Sequence, residues 1–378
     1  MMPVKILFVV TEDWYFHSHR LPLAMAAIAA GHNVSLASCF TGDRGKIVDA
    51  GVRTIPLKFM KRSSFNVIRE LAAFIELFFL FKRERPDLIH LVALKPVIYG
   101  SLAASLAGVP SRVNALGGLG FVFSSRKNLA KFLKPILMLI FRFIFNDIHS
   151  KLILQNRDDF ALMTEQAGVS FDRIRLIRGA GVNLDQYVPT KIHSGVPIIM
   201  LASRMIWDKG VAEFVNAAKI LHTKRISVRF VLVGKSDPEN PSSISTRQLK
   251  KWNDSGVVEW WGYRSNMEEL LSKARVVCLP SYCGEGVPKA LIEAMACGRP
   301  IVTTDSPGCR DLVECGINGM LVKPRDSVEL ASSLMLLILN KSLCQQMGKE
   351  GRKIAEKEFS LENIVKETMA VYKELLAR

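Results

Sequence analysis

The chain has 378 residues, more than one compact core usually accommodates, and its 49% hydrophobic and 23% charged residues are typical of a globular protein. This composition excludes a disordered chain, and no low-complexity tract or repeat of solenoid period is present. The seven cysteines form no CxxC pair, which predicts reduced thiols and argues against a disulfide framework or a zinc site.

The net charge of +16 is concentrated in one part of the chain. Residues 44–157 contain 19 Lys and Arg against 6 Asp and Glu, so +13 of the +16 lies in under a third of the sequence. Such a region suits an anionic surface, whether lipid head groups, polyphosphate or nucleic acid. We favour lipid and expect no nucleic-acid partner, because the cations are interleaved with aliphatic residues and no nucleic-acid-binding module is present.

Short apolar runs alternate with helical patterns along most of the chain. The runs predict strands at 5–11, 33–38, 87–93, 111–116 and 151–156, and a second set at 197–203, 228–234, 257–263, 276–281 and 301–305. Helices are predicted at 21–30, 64–83, 210–222, 267–274 and 288–297, with two closing helices at 327–340 and 361–376. Because the runs do not alternate cleanly, they fit strands buried on both faces of a parallel sheet. The order predicts an α/β fold with two doubly wound, Rossmann-like domains.

The boundary between the two domains is predicted in the proline-containing polar stretch 183–197. We expect an N-terminal domain over 1–185, a C-terminal domain over 190–360, and a last helix, 361–378, that packs back on the first domain. No run reaches the roughly 18 uninterrupted apolar residues of a spanning helix, so we expect no bilayer crossing. The N-terminal apolar run has the length of a strand and no cleavage site, which argues against a signal peptide.

Two segments of the basic region, 61–85 and 124–147, pair cations with a thick apolar face. This pattern is typical of helices that lie in a membrane interface, with Lys and Arg toward anionic lipid. The alternative is that both are amphipathic helices packed on their own sheet, with the cations in solvent. We favour the interface, because the apolar faces exceed one buried stripe.

The stretch GEGVPKALIEAMACGRPIVTTD (284–305) places one glutamate in a glycine-rich turn and a second inside an apolar helix. Burying an ionised carboxylate without a partner costs roughly several kcal/mol. Glu293 is therefore expected to bind a partner or a ligand. Adjacent ribose hydroxyls would satisfy it, and Glu285 could accept hydrogen bonds from a sugar ring. The alternative is that both acids are simply solvated.

The turn between the two glutamates also fits a ligand. Pro288 suits the first turn of a helix, because its missing N–H costs nothing there. The helix amides would point toward the carboxyl edge of the sheet, where they could bind a diphosphate. Gly286 would let the backbone approach that diphosphate closely. The predicted donor-side turn is therefore formed by Gly286, Val287 and Pro288.

This stretch resembles the donor-site signature of family-four retaining glycosyltransferases, which have the GT-B fold of two Rossmann-like domains facing across a cleft. The similarity covers essentially the whole chain. In that family the first acid of E-x7-E contacts the donor sugar and the second contacts the ribose, which implies these roles for Glu285 and Glu293. The stretch ASRMIWDKG (202–210) matches the Arg and Lys that hold the donor diphosphate, which implies Arg204 and Lys209. The resemblance also implies main-chain contacts to the base at Gly262, Tyr263 and Arg264.

The first domain resembles one bacterial branch of the family, whose members build polysaccharide or glycan repeat units on polyprenyl diphosphate. The resemblance lies in DWYFHSHRLPLA (13–24), LKPVIYG (94–100) and GLGFVF (118–123). Many family members have a glycine pair after the first strand and a histidine after the fourth, and this chain has neither. Asn114 stands roughly where that histidine would be. The implied acceptor-side candidates are His17, His19, His90, Asn114, Gly117, Gly118 and Gly120.

The resemblance implies a reaction and a place for it. A hexosyl or N-acetylhexosaminyl group would move from a UDP- or GDP-sugar bound to the second domain to a lipid-linked saccharide bound to the first. The pathway would be envelope polysaccharide biosynthesis (O-antigen, capsule or exopolysaccharide), with the enzyme peripheral on the cytoplasmic face of the inner membrane. Glu285, Arg204 and Lys209 would be the catalytic group. No cofactor or metal is expected, since cations can stabilise the leaving diphosphate.

Two other functions stay open at this point. One is a nucleotide-sugar isomerase of the same fold, similar to a 2-epimerase, which would need no membrane surface. The other is a membrane-bound scaffold that keeps the fold without turnover. The basic region argues against the first, and the complete set of Arg204, Lys209, Glu285 and Glu293 argues against the second.

Overall fold

The computed structural model describes residues 3–62, 66–119, 128–192 and 195–377. The chain forms two compact units. The N-terminal unit consists of Met1–Ala180 and Glu362–Arg378, and the C-terminal unit of Gly181–Leu361. Among the described residues no single helix is long and apolar enough to span a membrane. One bent pair of helices, Ser327–Leu339 and Lys341–Glu358, passes that test on joint length and composition alone, with a bend of 101°.

The N-terminal unit is built on a seven-stranded sheet. Its strands are β1 (Lys5–Glu12), β2 (Asn33–Cys39), β3 (Arg53–Pro56), β4 (Leu88–Val92), β5 (Ser111–Ala115), β6 (Ser150–Leu154) and β7 (Ile174–Leu176). All pairs are parallel, in the spatial order β3-β2-β1-β4-β5-β6-β7. The chain therefore builds outward in one direction from β1 and then in the other from β4. The point between β1 and β4 is the topological switch point, where doubly wound sheets bind ligands.

The helices of the N-terminal unit connect these strands. They are α1 (Asp13–His19), α2 (Leu21–Ala29), α3 (Arg44–Asp49), α4 (Val67–Glu84), α5 (Leu94–Ala107), α6 (Asn128–Phe145), α7 (Arg157–Glu165) and the C-terminal α14 (Leu361–Leu376). The α5 helix packs against both α4 and α6, which places these three on one side of the sheet. Tyr372 and Leu375 of α14 belong to the apolar cluster that covers β1 with α1 and α2.

The C-terminal unit repeats this plan with six strands. They are β8 (Ile198–Ala202), β9 (Arg229–Val233), β10 (Glu259–Trp260), β11 (Val276–Leu279), β12 (Ile301–Thr304) and β13 (Gly319–Val322). All pairs are again parallel, in the order β10-β9-β8-β11-β12-β13, so the switch point lies between β8 and β11. The helices are α8 (Val211–Thr223), α9 (Thr246–Asp254), α10 (Met267–Lys273), α11 (Lys289–Ala296), α12 (Ser327–Leu339) and α13 (Lys341–Glu358).

The central strands are buried on both faces, as the apolar runs predicted. Every residue of β4, β5 and β8 is buried. Each sheet has an apolar cluster on each face, so both units have their own core. Burying a side chain such as Phe8 or Phe214, both with no exposed surface, contributes about 1.5–3 kcal/mol. Two doubly wound sheets therefore confirm the predicted α/β architecture.

Several elements differ from the predictions. The strands β3, β7 and β13, which contain only three or four residues, lie near or at sheet edges, and no apolar run announces them. The two predicted closing helices are confirmed as α12 and α14, but α13, which lies between them, was not predicted. The α5 helix carries buried small residues around Gly100 and Ser101, so it lacks the apolar stripe by which helices are recognised.

The buried histidine on β4 makes the stability of the N-terminal unit depend on pH. His90 has no exposed surface, stacks on Phe8 and is hydrogen-bonded through Nδ1 to the Tyr372 hydroxyl at 2.6 Å. Burial, aided by the nearby Arg20 charge, lowers the pKa of His90 well below its usual value. The folded chain therefore keeps this imidazole neutral at a pH where the unfolded chain protonates it.

We predict that the free energy of unfolding is unaffected by this group at neutral pH and falls as the pH drops below about 6.5, because the unfolded state then binds the extra proton. Urea unfolding between pH 5 and pH 7.5 measures the slope. The control is His90→Gln, which can still hydrogen-bond Tyr372. Its slope should be smaller by about one proton, and an unchanged slope would contradict the prediction.

Candidate functional site

The predicted donor residues cluster at the switch point of the C-terminal sheet. The β8 turn (203–210) follows β8 and carries Arg204 and Lys209. The β11 loop (280–288) follows β11 and carries Glu285. The two segments are joined at Asp208, whose carbonyl oxygen accepts a hydrogen bond from the Tyr282 N–H at 3.1 Å and also lies 3.1 Å from the Ser281 hydroxyl oxygen. Adjacent strands with diverging connections thus bring both segments to one place.

Lys209 and Glu285 form an ion pair across this junction. Lys209 Nζ donates to Glu285 Oε1 at 2.5 Å, and the Ser281 hydroxyl donates to the same oxygen at 2.7 Å. Each of the two charged side chains is only 16% exposed. Gly210, next to Lys209, has φ +72°, and a Cβ there would lie 2.0 Å from the Pro280 carbonyl oxygen. Only glycine permits this close approach of the β8 turn to the end of β11.

Glu285 is held in its ionised form. Burial would raise the pKa of its carboxyl, but the charge and hydrogen bond of Lys209, together with Ser281 and the more distant Arg204, outweigh burial and lower the pKa. The site therefore presents an ionised carboxylate at Glu285, directly beside the Lys209 amine. A ligand with both hydroxyls and phosphates matches such a pair.

Arg204 is also held by an acid. Its Nη1 donates to Asp237 Oδ2 at 2.6 Å, and its side chain is 39% exposed, so it is accessible to a ligand. The 235–248 stretch that contains Asp237 has many exposed residues, as its polar composition predicts. It also pairs with the β8 turn: Met205 N–H donates to the Lys235 carbonyl at 3.0 Å, and Trp207 N–H to the Ser242 carbonyl at 2.8 Å.

Glu293 lies inside α11 and is not a solvated acid. Only 7% of the residue is exposed, and the Lys289 Nζ lies 3.2 Å from its Oε1. Burial and the neighbouring Glu293 carboxylate raise the pKa of the Tyr187 hydroxyl, which places that tyrosine beside Glu293. Sequence reasoning missed Tyr187, because it comes from the 183–197 stretch that was read only as a domain boundary.

The start of α11 differs slightly from the prediction. Pro288 is the N-cap residue, with φ −64°, and the helix begins at Lys289. Gly286, Val287 and Pro288 are all buried. The 306–308 turn after β12 holds the β11 loop just before these residues: the Pro307 carbonyl accepts a hydrogen bond from the Glu285 N–H at 3.2 Å. Gly308 has φ +77°, and a Cβ there would lie 1.8 Å from the Gly286 carbonyl oxygen.

The predicted base-reading residues follow β10. The Gly262 carbonyl accepts the Gly234 N–H at 2.8 Å, which ties this stretch to the end of β9. Tyr263 is 67% exposed, and the Lys235 ammonium lies 5.6 Å from its ring centroid. Arg264 is exposed. These positions lie at the same carboxyl edge of the sheet as the β8 turn.

In the N-terminal unit, the corresponding edge is organised by Asp13, which sequence reasoning missed. Its buried carboxylate accepts hydrogen bonds from the N–H groups of Gly42 and Asp43 and from both the N–H and the hydroxyl of Thr41, at 2.8–3.1 Å. Burial would raise the pKa of Asp13, but these donors lower it. His17 lies on α1 with Nδ1 3.9 Å from an Asp43 oxygen.

The other acceptor-side candidates have mixed positions. His19 stacks on Tyr15 with ring centroids 4.2 Å apart. Gly117 lies near the same tyrosine: a Cβ there would be 3.1 Å from the Tyr15 hydroxyl. Gly118 has φ +98°. Gly120 lies outside the described residues. His17 and His19 thus lie on α1, and Gly117 lies beside Tyr15 of the same helix, at the carboxyl edge of the first sheet.

Two candidates are in the core, and for them the prediction is wrong. His90 has no exposed surface and is enclosed by Phe8 and Tyr372. Asn114 is equally buried: its Oδ1 accepts from the Ser101 hydroxyl at 2.7 Å and its Nδ2 donates to the Ser150 hydroxyl at 2.8 Å. Both side chains hold the sheet together and present nothing to a substrate. Mid-strand positions in a fully buried parallel sheet explain this outcome.

In the ranges that the structure describes, no group of three or more His, Cys, Asp or Glu side chains is arranged to hold a metal ion. All seven cysteines are unbridged. The charged groups at the C-terminal switch point include Arg204, Lys209, Glu285 and Glu293, with Asp237 and Lys289 as ion-pair partners.

Comparisons with known proteins agree with this fold. The family model "Glycosyl transferases group 1" matches residues 196–340, and "Glycosyl transferase 4-like" matches residues 5–156. The chain is 31% identical over 317 residues to the N,N'-diacetylbacillosaminyl-diphospho-undecaprenol alpha-1,3-N-acetylgalactosaminyltransferase of Campylobacter jejuni, covering 80% of this chain and 81% of the relative.

Two further similarities are more distant. The UDP-Gal:alpha-D-GlcNAc-diphosphoundecaprenol alpha-1,3-galactosyltransferase of Escherichia coli is 23% identical, over 82% of this chain and 81% of the relative. The crystal structure of a glycosyltransferase from Rickettsia africae ESF-5 matches with a TM-score of 0.78 at 19% identity, covering 100% of this chain and 99% of that one. The last similarity concerns the fold alone.

Fold and site together define a two-domain GT-B protein with a charged site at the carboxyl edge of its second sheet. The chain belongs to the group 1 and family-four-like glycosyltransferases, and it is a glycosyltransferase. The resemblance seen in the E-x7-E stretch is thereby confirmed. The roles of individual residues stay predictions.

We predict that Gly308→Ala destabilises the C-terminal unit more than Gly316→Ala. Both glycines have positive φ, +77° and +83°, so each alanine costs about 1 kcal/mol of backbone strain. At Gly316 an added Cβ meets nothing within 4 Å, whereas at Gly308 it overlaps the Gly286 backbone. The overlap should cost about 1–3 kcal/mol more. Urea unfolding measures both variants, and equal losses would show that the 306–308 turn does not support the β11 loop.

Proposed function

We propose that this chain transfers a hexosyl or N-acetylhexosaminyl group from a UDP- or GDP-sugar to a lipid-linked saccharide, with retention of anomeric configuration. The observation that carries the proposal is the Lys209–Glu285 ion pair at the β8–β11 switch point, with Arg204 on the same turn. The setting would be envelope polysaccharide assembly at the cytoplasmic face of the inner membrane.

The donor would bind along the carboxyl edge of the C-terminal sheet. Arg204, 39% exposed, and Lys209 would take the diphosphate, assisted by the positive end of α11. Glu293, buried in α11, would accept hydrogen bonds from the ribose hydroxyls. Glu285 would accept hydrogen bonds from the sugar, and its low pKa keeps it an acceptor.

The chemistry follows from these charges. The bond between the anomeric carbon and the leaving phosphate oxygen breaks, and a bond to the acceptor hydroxyl oxygen forms on the same face of the sugar. The acceptor proton passes to the leaving diphosphate oxygen, so no protein base is needed. Arg204 and Lys209 stabilise the negative charge that develops on the diphosphate. Because they supply this charge compensation, we expect transfer to continue in EDTA.

The acceptor class rests on the relatives. The Campylobacter jejuni and Escherichia coli proteins are each named for a diphospho-undecaprenol acceptor. An acceptor of that kind would bind the N-terminal unit at its own switch point, near His17, His19 and the Gly117–Gly118 turn. Undecaprenyl-diphosphate saccharides are therefore the first acceptors to test.

The first experiment is transfer by the purified protein from a panel of UDP- and GDP-sugars to undecaprenyl-diphosphate saccharide, with and without EDTA. We predict that one donor yields a lipid-soluble product. Lys209→Ala should lower kcat/KM by about 10²-fold or more, because it removes a cation from the leaving group. Glu293→Ala should weaken binding of the matching nucleoside diphosphate.

The control is Lys353→Ala, which removes the lysine of another Lys–Glu pair of the same unit, 2.8 Å from Glu350 and exposed. It should leave transfer unchanged. Equal activity of the Lys209→Ala and Lys353→Ala proteins would contradict the proposed donor site. Donor consumption that releases free nucleotide and a free altered sugar, without lipid product, would favour an isomerase, and nucleotide binding without any turnover would favour a scaffold.

We also propose that α4 and α6 bind an anionic membrane surface. Five apolar side chains of α4 and three of α6 are at least 43% exposed: Val67, Ile68, Leu71, Ile75, Phe79, Ile136, Leu139 and Phe143. On each helix they recur at spacings of three and four residues, which gathers them on one face. Cations flank them, with Arg142 exposed on α6 and Lys82 and Arg83 exposed on α4. Part of the predicted 124–147 segment, 124–127, lies outside the described residues.

This arrangement fits a bilayer better than a purely internal packing role. The inner faces of both helices are already used, with Leu77 and Phe81 of α4 and Phe141 and Phe145 of α6 buried in the core of the unit. The outer apolar faces are additional, and the surrounding cations match anionic head groups. A lipid-linked acceptor makes this placement useful, because its sugar would be presented at the same surface.

We predict that the protein co-sediments with phosphatidylglycerol-containing vesicles and that Leu139→Glu weakens this binding about tenfold or more, because one leucine no longer inserts and an anion is added. The matched control is Leu339→Glu in the C-terminal unit, since Leu139 and Leu339 are both 69% exposed. Equal loss in both variants, or no sedimentation of the wild type, would contradict membrane binding through α6.

A further inference from the structure

The β11 loop has a support outside the proposed donor-binding residues. Tyr282 directly follows Ser281 and stands three residues before Glu285. Its N–H is fixed on the Asp208 carbonyl at 3.1 Å. Its ring is covered by a guanidinium from a different part of the sheet: Arg325 Cζ lies 4.3 Å from the ring centroid. At that distance an arginine over a tyrosine face is an attractive cation–π pair.

The backbone of Arg325 has an unusual conformation for a residue with a side chain. It follows β13 and precedes α12, and its φ is +64°. A side chain with a Cβ is strained in this left-handed region, where glycine or asparagine is favoured. Arginine at this position is therefore destabilising for the backbone, and the cation–π contact with Tyr282 offsets part of that strain.

A third side chain completes the cluster. Burial raises the pKa of the Glu213 carboxyl, and the Arg325 charge opposes that rise. Burial together with Glu213 and Asp208 raises the pKa of Tyr282 to about 12, so the phenol stays neutral. Glu213 lies in the first turn of α8, directly after the β8 turn. Arg325 thus contacts the β11 loop at Tyr282, and its charge also acts on Glu213 of α8.

We propose that Arg325 is a positioning residue: by covering Tyr282 it fixes the β11 loop so that Glu285 stays aligned with the donor sugar. This inference rests on the proposed function of the site. Arg325 itself touches no reacting atom. Its removal should therefore impair sugar transfer while leaving the grip on the nucleotide, through Glu293 and the β8 turn, intact.

The test uses Arg325→Asn and Arg325→Gly, because both residues accept φ +64° and the fold should not be weakened by strain. The donor is the UDP- or GDP-sugar that the wild type consumes fastest, and the nucleotide probe is UDP or GDP accordingly. We expect kcat/KM for transfer to fall about tenfold in both variants, because small misplacements of a substrate-positioning group are costly. The dissociation constant of the nucleoside diphosphate should change less than twofold, about the scatter of independent sites.

Tyr282 supplies the matched controls. Tyr282→Phe keeps the ring that Arg325 covers and should transfer like the wild type. Tyr282→Ala should lose as much as Arg325→Asn, and the double variant no more than either single change, because both act through one contact. Losses that multiply in the double variant, or an unchanged kcat/KM in Arg325→Asn, would overturn the inference.

Glu285→Gln and Glu293→Gln are measured in the same assay to distinguish failure of the Arg325 positioning role from failure of the donor site itself. If they lose activity while Arg325→Asn does not, the positioning role is wrong and the donor site stands. If neither glutamate variant changes transfer or nucleotide binding, or the wild type consumes no donor, the donor site is wrong and the inference falls with it.

Discussion

The geometry of the proposed donor site depends on the hydrogen bonds that join the β8 turn to the β11 loop. The Asp208 carbonyl binds the Tyr282 N–H, and the Lys209 ammonium binds Glu285. A parallel sheet brings strand ends together only to within the spacing of its strands, about 4.8 Å. The last few ångströms, on which contacts to a ligand depend, come from these bonds and from a glycine at position 210 that lets the backbones meet.

The same constraint explains the electrostatics of the site. A largely buried carboxylate and a largely buried ammonium would each be costly alone, and each offsets the cost of the other when they pair. When a nucleotide sugar enters, its phosphates and hydroxyls can replace the partner that each group has in the free protein. Arg204 with Asp237 repeats this arrangement at a more exposed position. The cations of the site are thus held ready near the place where negative charge would develop.

The two sheets and the two glutamates of the proposed donor site were predictable from the sequence. The residues that sequence reasoning missed were missed for physical reasons. The strands around the switch points were found because long apolar runs mark buried parallel strands, and Glu285 and Glu293 stood out as acids in a glycine-rich and an apolar setting. The partners Ser281 and Asp237 gave no such signal, since a serine after a strand and an acid in a polar loop are common. Asp13, Tyr187 and Arg325 act through contacts distant in sequence.

The errors at His90 and Asn114 have a related cause. A polar residue predicted in a strand can lie either at the strand's end, near a site, or in the core. Alternation of apolar and polar residues would distinguish the two, but it is absent when both faces of the strand are buried. Here Tyr372 of α14 and the Ser101–Ser150 pair satisfy the two side chains internally. Contacts of that kind join residues up to 282 positions apart and cannot be read from local pattern.

The central claim is that the β8–β11 switch point binds the donor diphosphate. The most direct measurement is a crystal structure of the protein with UDP or GDP, whichever it binds more tightly. We expect phosphate oxygens within hydrogen-bond distance of Arg204 and Lys209, and ribose hydroxyls hydrogen-bonded to Glu293. A nucleotide bound elsewhere, with the Lys209–Glu285 pair untouched, would contradict it.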